Sequence, residues 1–234
     1  MKKLLVTLDI GDYDREITNI TFPYMKQYAK NIGADFHVIT QRKFPDFPLM
    51  LEEFQMYEFS NSYDWIIFLD ADCLINPNGK DLTKLVDDDV VLIAKHNPPW
   101  HHFFSNNIEG KYNLQYYAPF FFLVFHKNSR DCVKPYDNPY DYYSHINLNS
   151  SHPEMMSYMK IRTHLTENEI KDTLIDEFLL TLNLHKYDIK TASLQEDFPH
   201  IDIIEHDSVS RDKKIIKLKK ATKYLKFKKN ISYS

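Results

Sequence analysis

Asp70 and Asp72 stand one residue apart at the end of the apolar run Trp65-Ile66-Ile67-Phe68-Leu69. On an extended backbone, side chains two residues apart project to the same side, so the pair sets two like charges together. A divalent cation removes that repulsion, and carboxylate oxygens are the donors that hard cations take. The run before them reads as a strand buried on both faces. In open α/β sheets ligands collect at the carboxyl ends of the strands. The spacing points to a metal and diphosphate site at Asp70 and Asp72, set against the plainer reading of a strand ending in a solvated turn.

The elements that must position this pair can be followed along the chain. Lys3 to Leu8 reads as a first strand, delivering Asp9 to a loop. Ile17, Ile20, Tyr24, Met25, Tyr28 and Ile32 recur at helical spacing. Pro23 is expected to kink or split that helix, and Gly33 to stop it. Phe36–Thr40 is a second strand, giving the β-α-β opening of a doubly wound sheet. Leu51 to Phe59 suggests a helix leading into the strand before Asp70. Val90–Ala94 and Pro119–Phe125 read as further strands, Ile170–Leu182 as a helix carrying Asp176 and Glu177, and Asp188–Ala192 as a last strand. His200–His206 is a semi-apolar run.

Composition narrows the chemistry. With 4 Gly in 234 residues, neither G-x-G-x-x-G nor a P-loop occurs, which argues against a dinucleotide-binding dehydrogenase or a P-loop kinase. Two cysteines, Cys73 and Cys132, are too few for a zinc cluster or a disulfide framework and sit beside apolar runs as small buried hydrophobes. Met1–Val6 imitates the start of a signal peptide, but the apolar run breaks at Asp9, and nothing approaches a membrane span. The expectation is a cytoplasmic protein. Of the 29 Lys and Arg, ten fall in residues 211–234 beside one acid, a local charge of +9 against −13 elsewhere. The break near residue 210 divides the chain into a domain at 1–210 and a basic tail at 211–234. As a helix, residues 211–229 suit peripheral contact with an anionic membrane as well as they suit a solvated, partly packed helix. Nucleic acid is the weaker partner, because no nucleic-acid-binding fold accompanies the charge.

A strand running into Asp-x-Asp after a β-α-β unit resembles the GT-A fold of nucleotide-sugar glycosyltransferases, and more closely the family 8 type that includes glycogenin and lipopolysaccharide glycosyltransferases. The likeness is carried by Val6-Thr7-Leu8-Asp9-Ile10 with Tyr13, by Glu53–Tyr57 followed by Tyr63–Asp72, by Asp176–Leu180 with His185-Lys186-Tyr187, and by Ile203-Ile204-Glu205-His206 with Ser210 and Lys213. It implies an α/β, GT-A fold: a Rossmann-like mixed central sheet flanked by helices in a single domain, with a basic C-terminal helical tail. The implied activity is metal-dependent transfer of a hexose from a nucleotide sugar, a UDP-hexose, to a glycan or lipid-linked acceptor.

The resemblance also implies roles. Asp70, Asp72 and His206 would bind Mn²⁺ or Mg²⁺, an imidazole favouring manganese. Asp70 would also serve the donor, and Lys213 would lie near its phosphates. Thr7, Asp9 and Tyr13 would line the base and ribose pocket. Asp176 and Glu177 would be the catalytic acids near the sugar and acceptor. The chain departs from the family pattern in three places. Glu53 stands where many relatives carry a basic residue, Ala118-Pro119-Phe120-Phe121 replaces the usual opening of its strand, and the stretch after His206 lacks the family's glycine and Lys-Pro-Trp ending. Two other readings stay open: a phosphatase of the haloacid dehalogenase type, which also sets Asp-x-Asp after a buried strand, and a non-catalytic nucleotide-sugar or glycan-binding protein on the same fold.

Overall fold

The structure, a computed structural model, describes residues 1–11, 14–95, 116, 118–143, 167–201, 203–204 and 211–231. In chain order it comprises β1 (Lys3–Leu8), α1 (Arg15–Ile32), β2 (Asp35–Ile39), a 3-10 segment (Leu49–Gln55) running into α2 (Met56–Phe59), β3 (Trp65–Leu69), β4 (Leu74–Ile75) and β5 (Val90–Ile93). There follow β6 (Phe122–His126), a 3-10 segment (Lys127–Val133), α3 (Tyr140–Tyr143), α4 (Glu167–Lys186), β7 (Lys190–Ser193), α5 (Leu194–Asp197), β8 (Ile203–Ile204) and α6 (Arg211–Ile231). Six strands form one sheet in the order β2-β1-β3-β6-β5-β7. β6 runs antiparallel to both its neighbours, and the other pairings are parallel. β4 and β8 form a separate antiparallel ribbon. This is the mixed, Rossmann-like α/β sheet flanked by helices that the strand pattern predicts.

The apolar runs are continuous because both faces of the sheet are covered. Alternate residues of β1, β3 and β6 (Leu4, Val6, Ile66, Phe68, Leu123, Phe125) meet Leu51, Phe54 and the α4 residues Phe178 and Leu179. Their neighbours Leu5, Ile67, Leu69 and Val124 meet Met25, Tyr28 and Ala29 of α1 on the other face. Burial of each such large side chain is worth roughly 1.5–3 kcal/mol, which fixes β3 centrally with its carboxyl end at Asp70. Cys73 and Cys132 are free and buried in this core.

α1 begins where Asp14 accepts the backbone N–H groups of Glu16 and Ile17. It ends at Gly33, whose φ of 68° lets its N–H turn back to the carbonyls of Ala29 and Lys30. The helix runs through Pro23 as one element, so the proline does not split it. Thr18, Thr21, Met25, Tyr28 and Ala29 are buried on both sides of the proline, and that packing outweighs the missing backbone donor. The stretch from Leu51 is mainly 3-10 rather than α-helical. β7 begins at Lys190 rather than Asp188 because Asp188, at φ 50°, turns the chain out of α4. The basic segment does not trail into solvent. α6 packs along α1 through Ile215, Leu218 and Leu225, which cluster with Ile17 and Leu74.

Candidate functional site

At the end of β3 the chain turns sharply. The Asp70 N–H donates to the Phe121 carbonyl at 3.0 Å, and the Cys73 N–H donates to the Asp70 carbonyl at 2.9 Å. Asp70-Ala71-Asp72-Cys73 is therefore a tight turn and not the extended segment that its spacing suggested. Thr21 of α1 fastens it, its hydroxyl donating to the Ala71 carbonyl at 2.5 Å. Asp72 is buried and accepts from the Nζ of Lys214, which reaches in from α6. The turn then enters β4, where Leu74 pairs with Ile204 of β8.

Three more carboxylates lie near enough to act electrostatically on this turn. Asp176 and Glu177 come from α4, which Asn183 ties to the sheet side by donating to the carbonyls of Cys132 and Lys134. Thr181 of the same helix accepts the Ala118 N–H at 3.0 Å. Glu53 comes from the 3-10 segment. Burial, then the charges of Asp72, Asp176 and Glu177, push the Asp70 carboxyl well above the usual carboxylate range, and Lys214 draws it part of the way back. Burial and the charges of Asp176, Asp70 and Glu177 do the same to Glu53. Burial raises Asp176 to about 7. It also raises Glu177 to about 7, against the Phe120 N–H and the charge of Lys95. Glu177 is thus part of the acidic cluster and not a solvated charge on the helix surface.

Glu52 and Glu53 separate two uses of a buried acid. Glu52 accepts from Arg42 Nε, the N–H groups of Lys43 and Phe44, and Gln55 Nε2, all within 2.9 Å. Burial works against its charge, but these donors hold its carboxyl below the usual value. Its role is to clamp the loop at 42–44 onto the 3-10 segment. Glu53 is 5% exposed, and its Oε2 has no hydrogen-bond partner among the described residues; the same is true of Asp176 Oδ1. Buried carboxylate oxygens without donors are costly to a fold.

The structure thus brings Asp70, Asp72, Asp176 and Glu177 together. Thr7 and Asp9 lie at the carboxyl end of β1, beside the end of β3. Thr7 is fully buried with no partner for its hydroxyl among the described residues, and the Asp9 N–H donates to the Ile39 carbonyl. Lys213 is exposed, and its neighbour Lys214 makes the contact to the acidic turn. Tyr13 and His206 lie outside the described residues. Sequence reasoning missed Glu53 and Lys214 as site members. The signal for Glu53 was an acid doublet inside the apolar stretch Leu49–Phe54; Lys214 was hidden among nine other basic residues.

Carboxylates that repel one another at the end of a strand are suitable donors for a hard divalent cation. Among the described residues, no three His, Cys, Asp or Glu side chains form a ready metal cage. Asp70 and Asp72 fit a cation as a partial shell that a ligand's own oxygens would complete.

No protein-family model matches the chain, and no curated protein matches it. Among solved structures it is similar to a glycosyltransferase involved in glycosylation of the major capsid of PBCV-1, with a TM-score of 0.39 and 16% identity over 57% of this chain and 64% of that one. It is also similar to a mutant Drosophila β-1,4-galactosyltransferase 7 in complex with manganese, UDP-Gal and xylobiose, with a TM-score of 0.35 and 20% identity over 56% of this chain and 52% of that one. A third similar structure is galactosyltransferase LgtC in complex with donor and acceptor sugar analogs, with a TM-score of 0.45 and 15% identity over 82% of this chain and 74% of that one. The chain spans less than two thirds of the first two structures. Likeness at this level concerns the path of the backbone and assigns no substrate.

Proposed function

We propose that this chain is a metal-dependent glycosyltransferase of the GT-A, family 8 kind, moving a hexose from a UDP-linked sugar to a glycan or lipid-linked acceptor. The observation that carries the reading is the convergence of Glu53, Asp70, Asp72, Asp176 and Glu177 on one turn at the carboxyl end of the central strand. Asp70 and Asp72 would hold Mn²⁺ or Mg²⁺ against the donor diphosphate. The cation, when bound, would neutralise the leaving diphosphate. His206, which lies outside the described residues, would be the third protein ligand. Asp176 and Glu177 would accept sugar hydroxyls and offset positive charge at the anomeric carbon. Thr7, Asp9 and Tyr13 would line the nucleoside pocket.

The test is thermal stability with UDP, GDP, ADP and CMP, each with Mn²⁺ and with EDTA, followed by UDP release from UDP-hexoses. A ligand at a hundredfold excess over its Kd stabilises by ~2.7 kcal/mol. A manganese-dependent shift with UDP, turnover of a UDP-hexose, and loss of both in Asp70→Asn are the expected results. A shift without turnover would favour the binding-protein reading. Hydrolysis of a phosphomonoester with Mg²⁺ and no nucleotide shift would favour the phosphatase.

A further inference from the structure

α6 has two faces with different uses. Its inner face is matched by the body of the protein: Ile215, Leu218 and Leu225 are buried, Arg211 pairs with Asp14 and Glu16, Lys219 with Glu16, and Lys214 with Asp72. Those contacts fix the rotation of the helix about its axis. The opposite face carries Lys213, Ile216, Lys217, Lys220, Lys223 and Tyr224, all exposed and spaced three or four residues apart. Such spacing lines them along one side of the helix over ~15 Å. Ile216 is 53% exposed and Tyr224 54% exposed; with Met1 they are the only exposed large hydrophobic residues among the described residues. Two bulky apolar side chains set among four lysines stand out where the described apolar residues are otherwise well covered.

We infer that this outward face docks α6 on an anionic lipid bilayer, with Ile216 and Tyr224 entering the headgroup boundary and Lys213, Lys217, Lys220 and Lys223 meeting lipid phosphates. Charge complementarity selects the partner's sign, and the apolar pair selects a surface that can admit side chains. A nucleic acid fits less well. It would have to extend past the helix over a body whose net charge is −13 outside residues 211–234. Docking is independent of the proposed activity, although it would hold the Asp72 turn, which Lys214 reaches from the same helix, beside a membrane surface. Among the described residues no helix is long and apolar enough to cross a membrane, so the contact is peripheral.

The experiment is co-sedimentation of the full chain with vesicles of phosphatidylcholine alone and of phosphatidylcholine with phosphatidylglycerol, across a salt series. Binding to the anionic vesicles only, weakened by salt and reduced about fivefold by each lysine replaced by glutamine, is the expected result. Lys220→Glu with Lys223→Glu should abolish binding, and Ile216→Ser should weaken it, with melting temperature unchanged because all three side chains are exposed. The inference is overturned by equal binding to neutral vesicles, by no binding to either, by salt-independent binding of the unmodified chain, by variants that bind like the unmodified chain, or by tighter binding to single-stranded RNA than to anionic vesicles at the same salt.

Discussion

Lys214 of α6 forms an ion pair with Asp72 of the acidic turn, the side chains being 13% and 5% exposed. The contact joins residues 142 positions apart and places a positive charge where the proposed metal would bind. The ammonium serves as a counter-ion when no metal is present. Lys214→Met should therefore destabilise the metal-free protein by about 3 kcal/mol, the cost of leaving one partner of a buried pair behind. The same change should tighten Mn²⁺ binding, roughly tenfold, because a competing cation is gone. Melting in EDTA and calorimetric titration with Mn²⁺ alone check the two halves. Weaker metal binding in the variant would mean that Lys214 shapes the site rather than competing for it.

Asp176 and Glu177 give the metal-free protein a stability that declines as pH rises. Burial lifts both carboxyls to about 7 from ordinary values of 3.8 and 4.5. Between those limits the folded chain holds protons that the unfolded chain has released, so each unit of pH costs stability until the folded groups ionise. The melting temperature in EDTA should fall as pH rises from 5 to 8. Mn²⁺ should recover much of the loss at pH 7.5. A flat profile in EDTA would show that the carboxyls are not held as the structure places them.

The Thr21 hydroxyl is the link between α1 and the Asp70–Asp72 turn. Thr21→Val keeps the shape and removes the donor to the Ala71 carbonyl. It should cost about 1 kcal/mol and loosen Mn²⁺ binding, because the turn that aims both aspartates loses its tie. Comparing melting temperature with metal affinity separates the effects; an unchanged affinity would mean that the Phe121 and Cys73 backbone bonds hold the turn without help.

Much of this was legible in the sequence, and the reasons are specific. Trp65–Leu69 announced a central strand because burial on both faces needs an unbroken apolar run. Gly33 marked the end of α1 by cap chemistry that acts within a few residues, whereas the cap at Asp14 was seen only in the structure. What was not legible depended on packing at long range. Pro23 is held in a continuous helix by a face buried against the sheet, and helical spacing alone does not reveal that packing. Asp70 and Asp72 sit in a turn because backbone groups of Phe121 and Cys73 close it. Lys214, rather than Lys213, reaches the site because the Ile215 and Leu218 contacts set the rotation of α6.

The adjacent acids Glu52 and Glu53 should respond in opposite ways to the same substitution. Glu52 accepts from four donors, one of them a guanidinium. Glu52→Gln turns an amide towards groups that themselves donate, and should cost about 3 kcal/mol. Glu53 has an oxygen without a donor among the described residues and three like charges acting on it. Glu53→Gln keeps its volume and removes a group that burial keeps from ionising freely. Its melting temperature should match or exceed that of the unmodified chain at pH 8, and its fall between pH 5 and pH 8 should be shallower. Because no fold contact is lost, any drop in UDP-hexose turnover in Glu53→Gln would report on the site itself. Equal melting temperatures for the two variants would mean that the acids are interchangeable and that the clamp on residues 42–44 does not matter to stability.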